Sequence, residues 1–159
     1  KDYFEKVDEK PTDSFLYMLA MNTFTMNTSM NPFENTLSSD KLFNKQAEVI
    51  QEIADKDDCI IVGRCAGYIL RDEPKCVRIY ISADKDFRTK RIMASDHLDE
   101  KEAQKKIHSM DKKRDSYFGY YAGQDWKACH TYDLSISTSS LGIDKAVDLI
   151  CQYIDIKFK

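Results

Sequence analysis

CIIVGRCAGYIL, Cys59 to Leu70, is the stretch on which the fold turns. Residues Cys59 to Gly63 carry no polar alternation. The pattern predicts a strand apolar on both faces, of the kind found inside a helix-covered parallel sheet. Gly63 ends it and Arg64 follows at once. In open α/β sheets ligands sit beyond the carboxyl ends of the strands, which places Arg64 where a guanidinium meets an anionic ligand. The competing reading is that Arg64 starts a surface helix.

Upstream, Asp57-Asp58 turns the chain into this strand, after a helix capped by Ser38-Ser39-Asp40 and running to about Lys56. Leu42, Phe43, Ala47, Ile50, Ile53 and Ala54 form its apolar face. Downstream come a short helix over Gly63 to Arg71, a turn with Pro74, and a second strand, Cys76 to Ser82. Asp84 to Ala94 reads as a helix, His97-Leu98 as a break, and Asp99-Glu100 as the start of a longer helix to about Tyr117. Gly119 to His130 is irregular and aromatic, Tyr132 to Ser137 is a third strand, and Thr138 to Leu141 leads into a last helix, Gly142 to about Ile156. Its expected buried face is Ile143, Ala146, Val147, Ile150, Tyr153 and Ile154. Strands alternating with helices imply an α/β parallel sheet. Three strands are few for this much helix, and an upstream strand would complete the sheet.

At the other end, Lys1 to Lys10 is polar, and Pro11 with Thr12-Asp13-Ser14 starts a short apolar helix. Asn22 to Asn35 is loop chemistry interleaved with Met26 and Met30, just after Met21. A loop this long is either functional or disordered. The chain opens at Lys1 rather than Met, so a missing upstream segment is expected.

The 159 residues suit a single domain. No window approaches 18 consecutive apolar residues, so no membrane span is expected. Net charge is −3, yet Lys85 to Arg114 holds ten Lys or Arg against six Asp or Glu. An acidic body with one basic segment argues against binding a nucleic-acid polymer and for a local anion site; the plainer alternative is a salt-bridged helix pair. Five cysteines, with no CxxC and with Cys59 in an apolar run, read as reduced thiols in a cytoplasmic protein. Three scattered histidines make zinc improbable.

Arginines carry the candidate chemistry. Arg88 and Arg91 are three apart on one helix, and Asp111 and Arg114 three apart on the next. Arg114 continues the apolar stripe Ala103, Ile107, Met110, so it is expected to point into a cleft; the alternative is an intrahelical pair with Asp111. Guanidinia converging beyond strand ends suit phosphate recognition and phosphoryl transfer. Trp126, amid Tyr117, Phe118, Tyr120 and Tyr121, reads as packing, His97, His108 and His130 as surface residues, and Cys65 as a small half-buried residue.

Taken in order, VGRCAGYIL, KCVRIYISADKDFRTKRI, MDKKRDSYFGYY and YDLSISTSSLGIDKAVDLI resemble the cytidylate kinase-like family of P-loop nucleoside monophosphate kinases, from about Lys41 to the C-terminus. The resemblance implies a three-layer P-loop NTPase-like α/β fold, a parallel sheet flanked by helices with a helical lid. Residues 1–40 would be acceptor-side helices and loop, 41–84 and 131–159 core, and 85–130 the lid region. It implies ATP with Mg²⁺ as phosphoryl donor and a CMP- or dCMP-like acceptor. Arg64 and Asp111 would bind substrate, Arg88 and Arg91 would face ATP, and Arg114 with Arg91 would be catalytic. Asp133 and Thr138 match positions around the last strand. Cys65 replaces the Asp of the family's GRD motif, and Ile107 stands where a further Arg is expected. No GxxxxGK[ST] occurs, so the family's first strand and P-loop are expected upstream, and this polypeptide alone is expected to be inactive as a kinase. A second reading is a non-catalytic nucleotide- or anion-binding protein on the same fold. A third is an interaction module whose Met21 to Met30 loop builds a homodimer.

Overall fold

The computed structural model describes residues 34–159, with side chains from Asp40 onward. The expected polar opening, the helix begun at Pro11 and most of the Met-bearing loop lie outside the described residues, as does any dimer built on that loop. The chain divides into two compact units, Lys1–Leu70 and Arg71–Lys159.

In the first unit, α1 (Glu34–Lys56) packs on the short α2 (Ala66–Ile69). Ile50 is fully buried and Gln46 nearly so, while Leu42, Phe43, Ala47 and Ala54 are half-buried. The helix starts at Glu34, ahead of the expected cap, so Ser38, Ser39 and Asp40 lie within it. Capping preferences amount to tenths of a kcal/mol per residue inside a helix and yield to packing further along.

The expected strand Cys59 to Gly63 is absent. These residues run without regular structure, with Ile60 95% and Val62 70% exposed. A strand exists only through a ladder with a neighbour, and the one sheet among the described residues contains two other strands. An apolar run predicts a buried strand, but with no neighbour to pair with among the described residues this one stays largely exposed and irregular.

The second unit holds that sheet: β1 (Ile79–Ser82) and β2 (Leu134–Ser137), parallel, with Ile79 opposite Leu134 and Ser82 opposite Ser137. Both are shorter than the apolar runs that announced them. The crossover between them contains α3 (Lys85–Asp96), α4 (Glu100–Ala122) and a 3₁₀ turn at Cys129–Thr131. Beyond β2 follow α5 (Thr138–Leu141) and α6 (Ile143–Lys157). The chain is therefore α/β, with a parallel strand pair flanked by helices.

Register is pinned where the strands begin. Asp133 accepts from the Arg78 backbone N–H at 2.7 Å and from its Nε and Nη2 at 3.1 Å each. The Arg78 carbonyl accepts in return from the N–H groups of Asp133, at 2.8 Å, and Leu134. Lys157 of α6 lies 3.8 Å from the same carboxylate and donates to the Cys76 carbonyl at 2.9 Å. Hydrogen bonding from Arg78 holds the Asp133 carboxyl below its ordinary pKa. At the opposite end, Ser82 Oγ donates to the Ile136 carbonyl and Thr138 Oγ1 to the Ser82 carbonyl, both at 3.1 Å. These hydroxyls satisfy backbone acceptors where the short ladder runs out.

Helix ends follow local chemistry. Asp84 caps α3 by accepting from Phe87 N–H at 2.8 Å. Asp99 and Glu102 form a reciprocal capping box on α4. That helix continues past Gly119, through residues expected to be irregular, to Gly123 at φ +65°. One interior glycine costs about 1 kcal/mol, and the Tyr117–Tyr121 ring contact at 4.9 Å, one turn apart, helps offset it. The expected buried face of α6 is only partly buried. Ala146 is covered and Ile150 and Tyr153 are half-buried, but Ile143 and Val147 are each 51% exposed. A two-stranded sheet is too narrow to cover a four-turn apolar stripe.

Among the described residues no helix is long and apolar enough to cross a membrane.

Candidate functional site

In the first unit the site is a turn. Gly63, Arg64 and Cys65 take φ values of +75°, +54° and +56° in succession. For the two non-glycine residues the left-handed region costs roughly 1–2 kcal/mol each, and such strain collects at ligand-binding positions. The turn closes through Ala66 N–H to the Gly63 carbonyl at 3.0 Å and delivers the chain into α2, where the N–H groups of Tyr68 and Ile69 bond to the Cys65 carbonyl at 2.9 Å each. Nothing lies within 4 Å of a Cβ built on Gly63, so conformation rather than crowding calls for glycine there.

The result for Arg64 is specific. Its Nη2 is shielded from solvent and hydrogen bonds to nothing in the structure. Leaving a buried donor unsatisfied costs about 1–3 kcal/mol, more when charged. A guanidinium held this way is short of an acceptor, and an anion or a carbonyl supplies one.

Cys65 beside it is more buried than expected, at 5% exposure. Burial pushes its thiol up to about 11, against the opposing charge of Arg64. At pH 8 it is then almost wholly the unreactive thiol. Iodoacetamide at pH 8 should therefore label the exposed Cys59, Cys129 and Cys151 first, half-buried Cys76 more slowly, and Cys65 last, with all five equivalent after denaturation. Peptide mapping by mass spectrometry reads the order; early labelling of Cys65 would contradict the burial.

In the second unit, three of the predicted residues come together on α3 and α4. Arg88 binds Asp111 in a two-pronged pair, Nη1 to Oδ2 at 2.9 Å and Nη2 to Oδ1 at 2.6 Å. This hydrogen bonding raises the Arg88 pKa and so keeps the guanidinium firmly protonated. Arg114 Nη1 reaches only 3.6 Å from Asp111 Oδ1, and its guanidinium lies over the Trp126 ring at 5.7 Å. The strong partner of Asp111 is thus Arg88 across the helix pair, and Arg114 continues its stripe onto an aromatic face. Trp126 is packing, as expected: it meets Tyr80 edge-on at 5.7 Å, and its carbonyl accepts from Tyr132 Oη at 2.7 Å. Arg91 is exposed and pairs with nothing among the described residues. Ile107, where the resemblance expects an arginine, is buried.

Two features escaped the sequence reading. Arg78 was passed over, although it stands one residue before Ile79 as Asp133 stands before Leu134, so opposite charges enter the two strands in register. The basic segment was seen only as a charge count. It lines a groove of about 530 Å³ between α3 and α4 with Lys85, Arg88, Lys101, Lys105 and His108.

The implied donor fits in part. Cationic side chains are present for a triphosphate. For Mg²⁺, no cluster of three candidate ligands exists among the described residues, and Asp111 and Asp133 are engaged by arginine.

Comparison with known proteins gives a consistent result. The model of the cytidylate kinase-like family matches residues 1–140, which takes in the first forty residues and stops before α6. The cytidylate kinase of Sulfolobus acidocaldarius is 31% identical over 110 residues, covering 69% of this chain and 60% of that protein. The cytidylate kinase of Methanoculleus marisnigri is 27% identical over 111 residues, covering 70% and 59%. The matched part thus spans about three fifths of these relatives. The crystal structure of an uncharacterised protein from Eubacterium ventriosum superposes with a TM-score of 0.70 at 34% identity, covering 98% of this chain and 76% of that one.

Proposed function

This chain belongs to the cytidylate kinase-like family, and from that premise we propose that the full-length protein is an ATP-dependent phosphotransferase whose acceptor is a CMP- or dCMP-like nucleoside monophosphate. The observation that carries the proposal is the Arg64 Nη2, buried and without a hydrogen-bond partner. A nucleoside monophosphate brings phosphate oxygens that take up such a donor in a charge-assisted bond. Arg64 therefore holds the acceptor. Arg88 and Arg91 serve the donor side, with Asp111 fixing the Arg88 fork, and Arg114 with Arg91 meets charge on the transferring phosphoryl. ATP would supply the γ-phosphoryl, while this chain's residues bind, orient and exclude water. Residues 1–159 act as one kinase domain with α3 and α4 in its lid. Five unbridged cysteines support work in the cytoplasm.

A second reading, a non-catalytic nucleotide binder, is favoured by one observation. Ile107 packs in the core of α4 where an arginine would thicken the phosphate clamp. Coupled ATP/CMP turnover by the full-length protein separates the two. Turnover with CMP or dCMP supports the kinase. Binding without turnover of CMP, dCMP, UMP or AMP supports the binder and ends the kinase reading.

A further inference from the structure

Arg114 and Trp126 meet although the chain between them has to double back. Arg114 stands nine residues before Gly123, about two and a half turns of α4. Gly123, at φ +65°, ends the helix, and the segment beyond it returns far enough for the Arg114 guanidinium to lie over the Trp126 ring at 5.7 Å. The indole is fastened from two sides. Tyr80 of β1 meets it edge-on at 5.7 Å. Tyr132, which packs on Tyr80 with ring centroids 5.1 Å apart, donates from Oη to the Trp126 carbonyl at 2.7 Å. On the other side Lys127 reaches Asp115, the neighbour of Arg114 on α4, at 3.4 Å, and brings its own ammonium to 5.9 Å from the ring. Trp126 thus joins the strand pair to the turn of α4 that carries Arg114.

For Arg114 the ring is a second anchor. The first, Asp111, has both oxygens engaged by Arg88 at 2.9 and 2.6 Å and lies 3.6 Å away. An indole face attracts a cation within about 6 Å of its centroid, and more strongly than the ring of Phe or Tyr does. It takes none of the two-pronged, in-plane hydrogen bonds that a carboxylate accepts, so it steadies the side chain without occupying the fork that phosphate oxygens need.

We propose that Trp126 is a positioning residue for phosphoryl transfer: it holds the Arg114 guanidinium in place before charge develops on the transferring group. The proposal rests on the role given to Arg114 above and names the residue through which that role is exercised. Trp126 touches neither nucleotide and acts through Arg114. A long, rotamer-rich side chain that is already held need not be ordered in the transition state, and preorganisation of this kind raises kcat rather than ground-state affinity.

The test uses the full-length protein and two readouts, with circular dichroism and a thermal melt to establish that each variant folds. The first needs no turnover. In protein labelled for heteronuclear NMR, the Arg114 Nε–Hε resonance, identified by its loss in Arg114→Lys, is expected to be displaced upfield by the indole ring current. The displacement disappears in Trp126→Leu and shrinks in Trp126→Phe. The second readout is kcat and KM for ATP and CMP. Trp126→Leu is expected to lower kcat about tenfold with both KM values within about threefold of the parent, and Trp126→Phe to restore most of the loss. In an Arg114→Ala background the leucine change lowers kcat by less than about twofold more, because nothing is left to position. If Trp126→Leu does not fold, Trp126→Phe, alone and with Arg114→Ala, carries the same comparison. A resonance unmoved by the loss of the indole, or losses of kcat that multiply in the double variant, overturns the proposal and leaves the kinase reading in place. No turnover by the parent with any nucleoside monophosphate ends the kinase reading, and the proposal with it.

Discussion

Arg64→Ala abolishes the thermal stabilisation that CMP gives the protein. For the unaltered protein, CMP at a hundred times its Kd adds about 2.7 kcal/mol, a rise of roughly 5–10 °C for a chain of this size. The alanine variant loses the charge-assisted bonds of the guanidinium, and its Kd rises about a hundredfold, so the shift at the same CMP concentration falls to within a degree or two. Without ligand the variant should be no less stable than the parent, because the deleted group includes a buried donor that bonds to nothing. That combination, unchanged or improved stability with lost binding, distinguishes a ligand-binding arginine from a structural one. Arg64→Lys should lie between the two, since an ammonium keeps the charge and loses the planar fork. Retention of CMP affinity by Arg64→Ala would remove the basis of the functional proposal.

Asp133→Asn lowers stability by about 2 kcal/mol. The side chain accepts three hydrogen bonds from Arg78, one of them from the backbone, and its carboxylate is mostly buried. Hydrogen bonds to a charged group contribute about 1.5–3 kcal/mol, discounted here for the partial exposure of Arg78. The amide preserves shape and one acceptor, so the loss reports the charge. The effect depends on pH in a definite direction. Asp133 has a lower pKa folded than unfolded, with the Arg78 hydrogen bond as the main cause. Its contribution is therefore complete above the ordinary carboxylate range and disappears as pH falls through the lowered folded value. The gap in Tm between Asp133→Asn and the parent should be constant from neutrality to about pH 5 and close below about pH 4. A pH-independent gap would mean that the asparagine disturbs packing rather than charge.

Both variants act at places the sequence marked unequally. Gly63-Arg64 stood out because a glycine and a charge end an apolar run, and that local signal survives even though the strand before it does not form. Asp84 and Asp99 announced their helix starts correctly, since a cap is a contact within one turn and needs nothing distant. The pairing of Arg88 with Asp111 was half legible. Each residue was singled out, but on its own helix, and the bond between them joins positions 23 residues apart.

By itself the sequence determined the α/β class, the candidate arginines, the family and the order of elements apart from the strand expected at Cys59 to Gly63, because these depend on periodicity, caps and motifs read along one chain. Tertiary structure decided what depends on a neighbour. Ile60 and Val62 lie exposed because no described ladder takes them up. Arg88, from the other helix, makes the short bond to Asp111, while Arg114 stays 3.6 Å from that carboxylate and lies over Trp126. Arg64 keeps an unsatisfied nitrogen because a left-handed turn, not a strand tip, carries it. Hydrophobicity says what a segment would bury; only the partner that meets it says whether it does.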